Sequence, residues 1–186
     1  LEKFKLLELN VEFLTDENKN LQKILETEYF NKNLSNIILA KVLVDKNSPF
    51  LKSIIINKGT RAGILKGMPV TKDNYLVGRV VETNYLSSRV LLLNDLNSRI
   101  PVTFGEEGVQ GILKGNGGSK PVLEYLPEGY TVEEGIDVFT SGKDGIFLPG
   151  SPIGVTTSEG DVKLFSESSQ LSFVKVDLTQ QNEEAF

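Results

Sequence analysis

The sequence predicts a mainly β protein in which an N-terminal coiled-coil helix is followed by two small six-stranded β-barrels. Three observations carry that expectation. Apolar residues keep an unbroken three-four spacing through the first 28 residues. From Ile37 onward, twelve short runs rich in Val, Ile, Leu and Phe are separated by Gly, Pro, Asn and Asp, and they fall into two groups of six. A faint internal repeat relates the two groups: Gly63-Ile64-Leu65-Lys66-Gly67-Met68-Pro69-Val70 is echoed by Gly145-Ile146-Phe147-Leu148-Pro149-Gly150-Ser151-Pro152-Ile153.

The helix comes first. Phe4, Val11, Asn18 and Leu25 occupy a positions of a heptad, and Leu7, Leu14 and Leu21 occupy d positions. An all-leucine d layer with one asparagine at a reads as a parallel two-stranded coiled coil, because two facing amides can pair across the axis and fix the register. A trimer or a shifted register leaves the Asn18 amide unpaired, at roughly 1–3 kcal/mol. The alternative is an amphipathic helix packed on its own domain, with Asn18 at the edge of the apolar face. Neither Gly nor Pro interrupts residues 1–30, and the polar stretch Asn31–Asn36 reads as a hinge.

The candidate strands of the first group are Ile37–Val44, Leu51–Ile56, Pro69–Thr71, Leu76–Thr83, Arg89–Leu93 and Ile100–Phe104. Those of the second are Gly108–Lys114, Pro121–Tyr125, Asp137–Thr140, Ile153–Thr157, Val162–Phe165 and Leu171–Asp177. Close turn spacing without intervening helices indicates a sandwich or barrel. The expected domains are a dimerisation helix over 1–31, a first barrel over 32–104, a second over 105–178 and a flexible tail over 179–186. The C-terminal strand 171–177 is a candidate to join the first barrel instead. The strand Ile37–Val44 is a candidate edge for a partner segment.

Composition removes several function classes. The net charge is −5, no Lys/Arg run forms a basic stripe, and nucleic-acid binding is not expected. Histidine and cysteine are both absent, so Ser-His-Asp and Cys-His catalysis and zinc sites built on those residues are impossible. No run of 18 apolar residues is present to cross a membrane as a helix. The first residue, Leu1, already lies inside the helix pattern, which reads as the start of an excised fragment with any anchor upstream.

The remaining motifs read as turns. Gly59, Gly63 and Gly67 are spaced by four and are expected at positive φ. Gly78, Gly142 and Gly150, with Pro69 and Pro152, complete a set of structural turn residues. Gly115–Gly118 reads as a hairpin loop. Asn94-Asp95-Leu96-Asn97 has a hint of calcium-loop spacing but lacks the glycine and terminal glutamate of that loop. Thr140-Ser141-Gly142 looks like a nucleophile segment, yet only Lys143 or Lys175 could act as base. The acidic pairs Glu106-Glu107, Glu133-Glu134 and Glu183-Glu184 read as solvated surface. No catalytic residue, cofactor, metal or small-molecule substrate is expected. A carboxylate-dependent cell-wall hydrolase or glycan-binding module is the alternative, weakened by the absence of tryptophan platforms. An attachment fibre would instead require a trimeric stalk.

In order and spacing, several segments resemble one family. They are the coiled coil with Glu17-Asn18 and Leu21, Ala40-Lys41-Val42, Ile56-Asn57-Lys58-Gly59, Gly67-Met68-Pro69-Val70, Leu76-Val77-Gly78-Arg79-Val80, Leu92-x-Asn94-Asp95, Ile100-Pro101-Val102, Thr140-Ser141-Gly142 and Gly150-Ser151-Pro152-Ile153-Gly154. Across nearly the whole chain they resemble the rod-shape-determining protein MreC family. Two departures stand out: Gly135 is followed by Ile136 before Asp137, and Phe147 by Leu148.

The resemblance implies a bacterial cell-shape scaffold with a membrane anchor upstream and non-catalytic, chymotrypsin-type barrels on the extracytoplasmic face. It implies a homodimer able to self-associate further. It also implies contacts with the elongation transpeptidase (a penicillin-binding protein), MreD, MreB and RodA-type membrane partners. A 28-residue helix is about 42 Å long, at ~1.5 Å per residue. Six buried apolar seam residues at roughly 1.5–3 kcal/mol each, set against association costs of ~4–15 kcal/mol, predict dimerisation in the micromolar range. Anchoring in a plane would strengthen it.

Overall fold

The computed structural model describes residues 2–30, 37–47, 52–166 and 171–178, and the side chains of residues 2, 22–30 and 44–47 lie outside that description. The expected hinge at 31–36 and tail at 179–186 also fall outside it. The chain divides into two compact units, residues 1–35 and 36–186.

The first unit is helix α1, Glu2–Phe30. Its interior is free of Gly and Pro, and Thr15 turns its hydroxyl back onto the Val11 carbonyl at 2.7 Å, so the hydroxyl adds no unmet polar group.

Among the described residues the second unit carries twelve strands: β1 Ile37–Asn47, β2 Lys52–Ile56, β3 Pro69–Lys72, β4 Tyr75–Thr83, β5 Ser88–Leu92, β6 Arg99–Phe104, β7 Val109–Lys114, β8 Val122–Glu124, β9 Asp137–Thr140, β10 Pro152–Thr156, β11 Val162–Leu164 and β12 Phe173–Asp177. Six close into a barrel in the order β1-β12-β3-β4-β5-β2. The other six form a sheet in the order β11-β10-β9-β6-β7-β8, whose two ends meet at a single bridge, Val122–Asp161. The fold is thus mainly β, with one closed and one nearly closed antiparallel barrel.

The membership of the barrels differs from the expected grouping. Strand 99–104 was expected in the first barrel but pairs along its whole length with β7, from Arg99–Lys114 to Phe104–Val109. Gly105 and Gly108, at φ 75° and 64°, fold this hairpin, so local turn chemistry takes β6 into the second sheet. In exchange, β12 returns to the first barrel and inserts between β1 and β3. The tight β3–β4 hairpin turns on Asp73 and Asn74, both at positive φ, as a two-residue turn between twisted strands requires.

Each barrel is filled by its own alternating face. Ala40, Ile54, Ile56, Val70, Val80, Val90, Val174 and Val176 pack the first core. Ile100, Val102, Phe104, Leu113, Val138, Ile153 and Val162 pack the second. Two residues cross over: Leu76 of β4 and Leu93, just after β5, are buried in the second core although their strands belong to the first barrel. The Tyr75 and Phe165 rings meet beside them at 5.0 Å between centroids.

Candidate functional site

The helix carries the first candidate surface. Phe4, Leu7, Val11 and Leu14 form an apolar row and are 75%, 61%, 58% and 56% exposed. Phe4, Leu7 and Val11 line an apolar groove with the stems of Glu8 and Glu12. Asn18 is exposed and Leu21 half-buried, and the side chain of Leu25 lies outside the described residues. The heptad reading missed a second row on the same helix. Leu6, Leu9 and Phe13 are also exposed, and their spacing of three and four was visible in the sequence beside the stronger seam.

Among the described residues no group of three or more Asp and Glu side chains could hold a metal ion. Glu106, Glu107, Glu133 and Glu134 are exposed loop residues, and Glu183-Glu184 lies outside the described residues. The Thr140–Gly142 segment is a brace. Thr140 donates its hydroxyl to the Leu148 carbonyl at 2.6 Å and accepts the Ser151 N–H at 2.9 Å, while the Ser141 N–H donates to the Pro101 carbonyl. Lys175 sits on β12 in the other barrel.

The segment with the calcium-like spacing is the junction between the barrels. Asp95 is fully buried, and its carboxylate accepts the Lys52 N–H at 2.6 Å and the Asn97 N–H at 2.7 Å. One backbone N–H meets each carboxylate oxygen, so the carboxylate ties the linker to β2. Asn94 ties the same linker to the second sheet. Its side-chain amide N–H donates to the Gly118 carbonyl at 2.9 Å, and its backbone carbonyl accepts the Gly117 N–H. A Cβ on Gly115 would lie 1.9 Å from the Asp95 carbonyl oxygen, so only glycine permits this approach.

The turn residues divide by cause. Gly63, Gly67, Gly142 and Gly150 have φ of 81°, 99°, 73° and 88°. Gly59 differs from the expectation: it is extended, with φ −143°, and glycine is required there because a Cβ would meet the Asn84 carbonyl oxygen at 2.0 Å. Gly78 is likewise no turn residue but lies within β4, where a Cβ would sit 2.1 Å from the Leu91 carbonyl oxygen. Pro69 and Pro152 each open a strand, β3 and β10.

The edge expected at Ile37–Val44 is not free. β1 pairs with β12 over Ile37–Lys41, then passes a bulge at Val42–Val44 and pairs with β2. Closure of the barrel consumes both of its edges. Among the described residues the least fully paired edges are β8 and β11 of the second sheet, which meet at Val122–Asp161 with the Val162 N–H donating to the Pro121 carbonyl.

Comparison with known proteins gives the family. The family described as "Rod shape-determining protein MreC, barrel core" matches residues 42–181. The chain belongs to the MreC family. The cell shape-determining protein MreC of Caulobacter vibrioides is 36% identical over 141 residues, which is 74% of this chain and 41% of that protein. The chain thus spans about two fifths of that MreC relative's length. The structure of MreC from Pseudomonas aeruginosa superposes with a TM-score of 0.68 at 26% identity, covering 76% of this chain and 99% of that one. The major periplasmic domain of the cell shape-determining filament MreC shares the fold, with a TM-score of 0.65 at 17% identity over 75% of this chain and 93% of that one. So does the complex between penicillin-binding protein PBP2 and MreC from Helicobacter pylori, with a TM-score of 0.58 at 18% identity over 77% of this chain and 99% of that one.

Proposed function

We propose that this MreC-family chain is a scaffold on the extracytoplasmic face of the bacterial membrane. It pairs with a second copy through the seam Phe4, Leu7, Val11, Leu14, Asn18, Leu21 and Leu25, and it presents its barrels to the wall-elongation machinery. The exposed seam carries this reading. A row of large apolar side chains loses roughly 25 cal/mol of solvation cost per Å² when covered. Charge also favours the parallel arrangement. Lys3 flanks the seam at a g position and Glu8 at the e position five residues on, so a parallel pair brings them together across the interface.

The partners in this reading are a penicillin-binding transpeptidase of the PBP2 kind, MreD, MreB and RodA-type proteins. The PBP2–MreC complex of Helicobacter pylori supports the first of these. The braced loops of the barrels suit a rigid docking body: Gly63, Gly67, Gly142 and Gly150 hold turns, Gly59 and Gly78 permit close backbone approach, and Pro69 and Pro152 open strands. Binding of the chain to the soluble domain of such a transpeptidase, followed by interferometry, tests the reading. Saturable binding supports it. Release of soluble fragments from purified wall polymer, without transpeptidase binding, would return the hydrolase alternative.

A further inference from the structure

The Gly115–Gly118 loop that holds the junction contains the one Asn-Gly step of the sequence, Asn116-Gly117. The side-chain carbonyl of an asparagine is open to attack by the backbone nitrogen that follows it, and a glycine there has no Cβ to obstruct the approach. Asn116 is exposed, and its side chain folds over the residues ahead of it: Oδ1 accepts the Gly118 N–H at 2.9 Å. That donor sits on the oxygen that takes up negative charge as the ring closes, so it favours the reaction. The attacking atom is held back. The Gly117 N–H donates to the Asn94 backbone carbonyl at 2.8 Å, and the buried Asn94 side chain grips the Gly118 carbonyl at 2.9 Å. With its proton engaged in this way, the Gly117 nitrogen neither loses that proton nor turns toward the side chain until the loop opens.

We infer that Asn116 is a self-modification site gated by the junction between the barrels: it deamidates only while the bond between the Gly117 N–H and the Asn94 carbonyl is open. In the first step hydroxide takes the Gly117 proton and the nitrogen bonds to Asn116 Cγ. The side-chain nitrogen takes a proton from water and leaves as ammonia, which closes a succinimide ring. Water then adds to either ring carbonyl and breaks its bond to the Gly117 nitrogen. One opening leaves aspartate and the other isoaspartate, so the net exchange is –NH2 for –OH, with no oxidant or reductant. Isoaspartate routes the main chain through Cγ and lengthens it by one carbon. Gly115 has no room to take up the change, since even a Cβ there would lie 1.9 Å from the Asp95 carbonyl oxygen. The displacement therefore falls on Gly117 and Gly118, the two residues that Asn94 holds. Modification loosens the same contacts whose opening permits it.

Incubation of the whole chain in mildly alkaline buffer, followed by peptide mass spectrometry that separates aspartate from isoaspartate at position 116, tests the inference. In the folded chain the reaction is expected to run at least about tenfold slower than in urea, where the gate is absent. Asn94→Ala removes the grip on the Gly118 carbonyl and is expected to speed the reaction at least about threefold in a chain that circular dichroism shows to be folded. Hydrogen exchange gives a reading that needs no variant. The Gly117 N–H is expected to be protected by a factor that agrees, within about threefold, with the slowing of deamidation. A folded chain that reacts at the urea rate, or a Gly117 N–H that exchanges freely, overturns the inference. So does a folded Asn94→Ala chain that reacts no faster. Where Asn94→Ala does not fold, the comparison of exchange with deamidation decides, and disagreement between them overturns the gate.

Discussion

The Asp95 carboxylate accepts the backbone N–H of Lys52 at 2.6 Å and so fastens the linker between the two barrels onto the first of them. Lys52 opens β2, while Asp95 lies between β5 and β6, so the contact joins segments 43 residues apart. With Asn94 bonded to the Gly115–Gly118 loop, the linker is held from both barrels at once.

Asp95→Ala is expected to destabilise the barrel unit by about 2–4 kcal/mol, because two backbone N–H groups lose their acceptor inside the fold. Asp95→Asn keeps the shape but replaces one acceptor oxygen by an NH2 donor, so one of the two N–H groups loses its acceptor, and about half that loss is expected. Urea unfolding followed by circular dichroism reads both. Equal loss in the two variants would mean that packing, and not the carboxylate acceptor, holds the linker.

Gly115→Ala is expected to cost more than Gly67→Ala. The first places a methyl carbon 1.9 Å from the Asp95 carbonyl oxygen, so backbone must move at the junction. The second meets nothing within 4 Å and carries only the strain of a left-handed alanine, about 1–2 kcal/mol. Comparing the two urea midpoints checks the order.

Leu76→Ala is expected to cost about 2–5 kcal/mol, as a buried leucine does when a cavity replaces it. Because Leu76 is rooted in β4 and buried in the second core, the loss should appear as one lowered transition for both barrels. Two separated transitions in calorimetry would show that the barrels are energetically independent.

Much of this was readable in the sequence, for local reasons. All twelve strands were visible because each is bounded by turn residues. The repeat was meaningful too: Gly63 and Gly145, then Gly67 and Gly150, all sit at positive φ ahead of the strands that Pro69 and Pro152 open. The C-terminal strand was already a candidate for the first barrel, where β12 sits; the transfer of β6 to the second sheet was missed, since strand neighbours are chosen by core packing as well as by order along the chain. Nor was the loss of the β1 edge, which depends on a strand changing partners at the Val42–Val44 bulge. Asp95 was seen only as a weak metal signal, because its two N–H partners come from the backbone and leave no trace in residue type. Leu6, Leu9 and Phe13 were overlooked because the seven-residue seam absorbs the same helix.

Asn18→Val is expected to tighten self-association and to loosen its stoichiometry. In the proposed seam the Asn18 amide would pair with its counterpart and favour two strands at some cost in stability, and a β-branched a residue would remove that cost together with the register signal. Native mass spectrometry should show stronger dimer and new trimer. An unchanged distribution would place Asn18 outside the seam.

Sedimentation equilibrium of the chain beside its Val11→Ser/Leu14→Ser variant, from 10 nM to 100 µM, tests the pairing of helices most directly. The expected result is a monomer–dimer equilibrium with a midpoint in the micromolar range, abolished in the variant. A chain that remains monomeric at 100 µM, or a dimer that survives the loss of both Val11 and Leu14, would contradict the account.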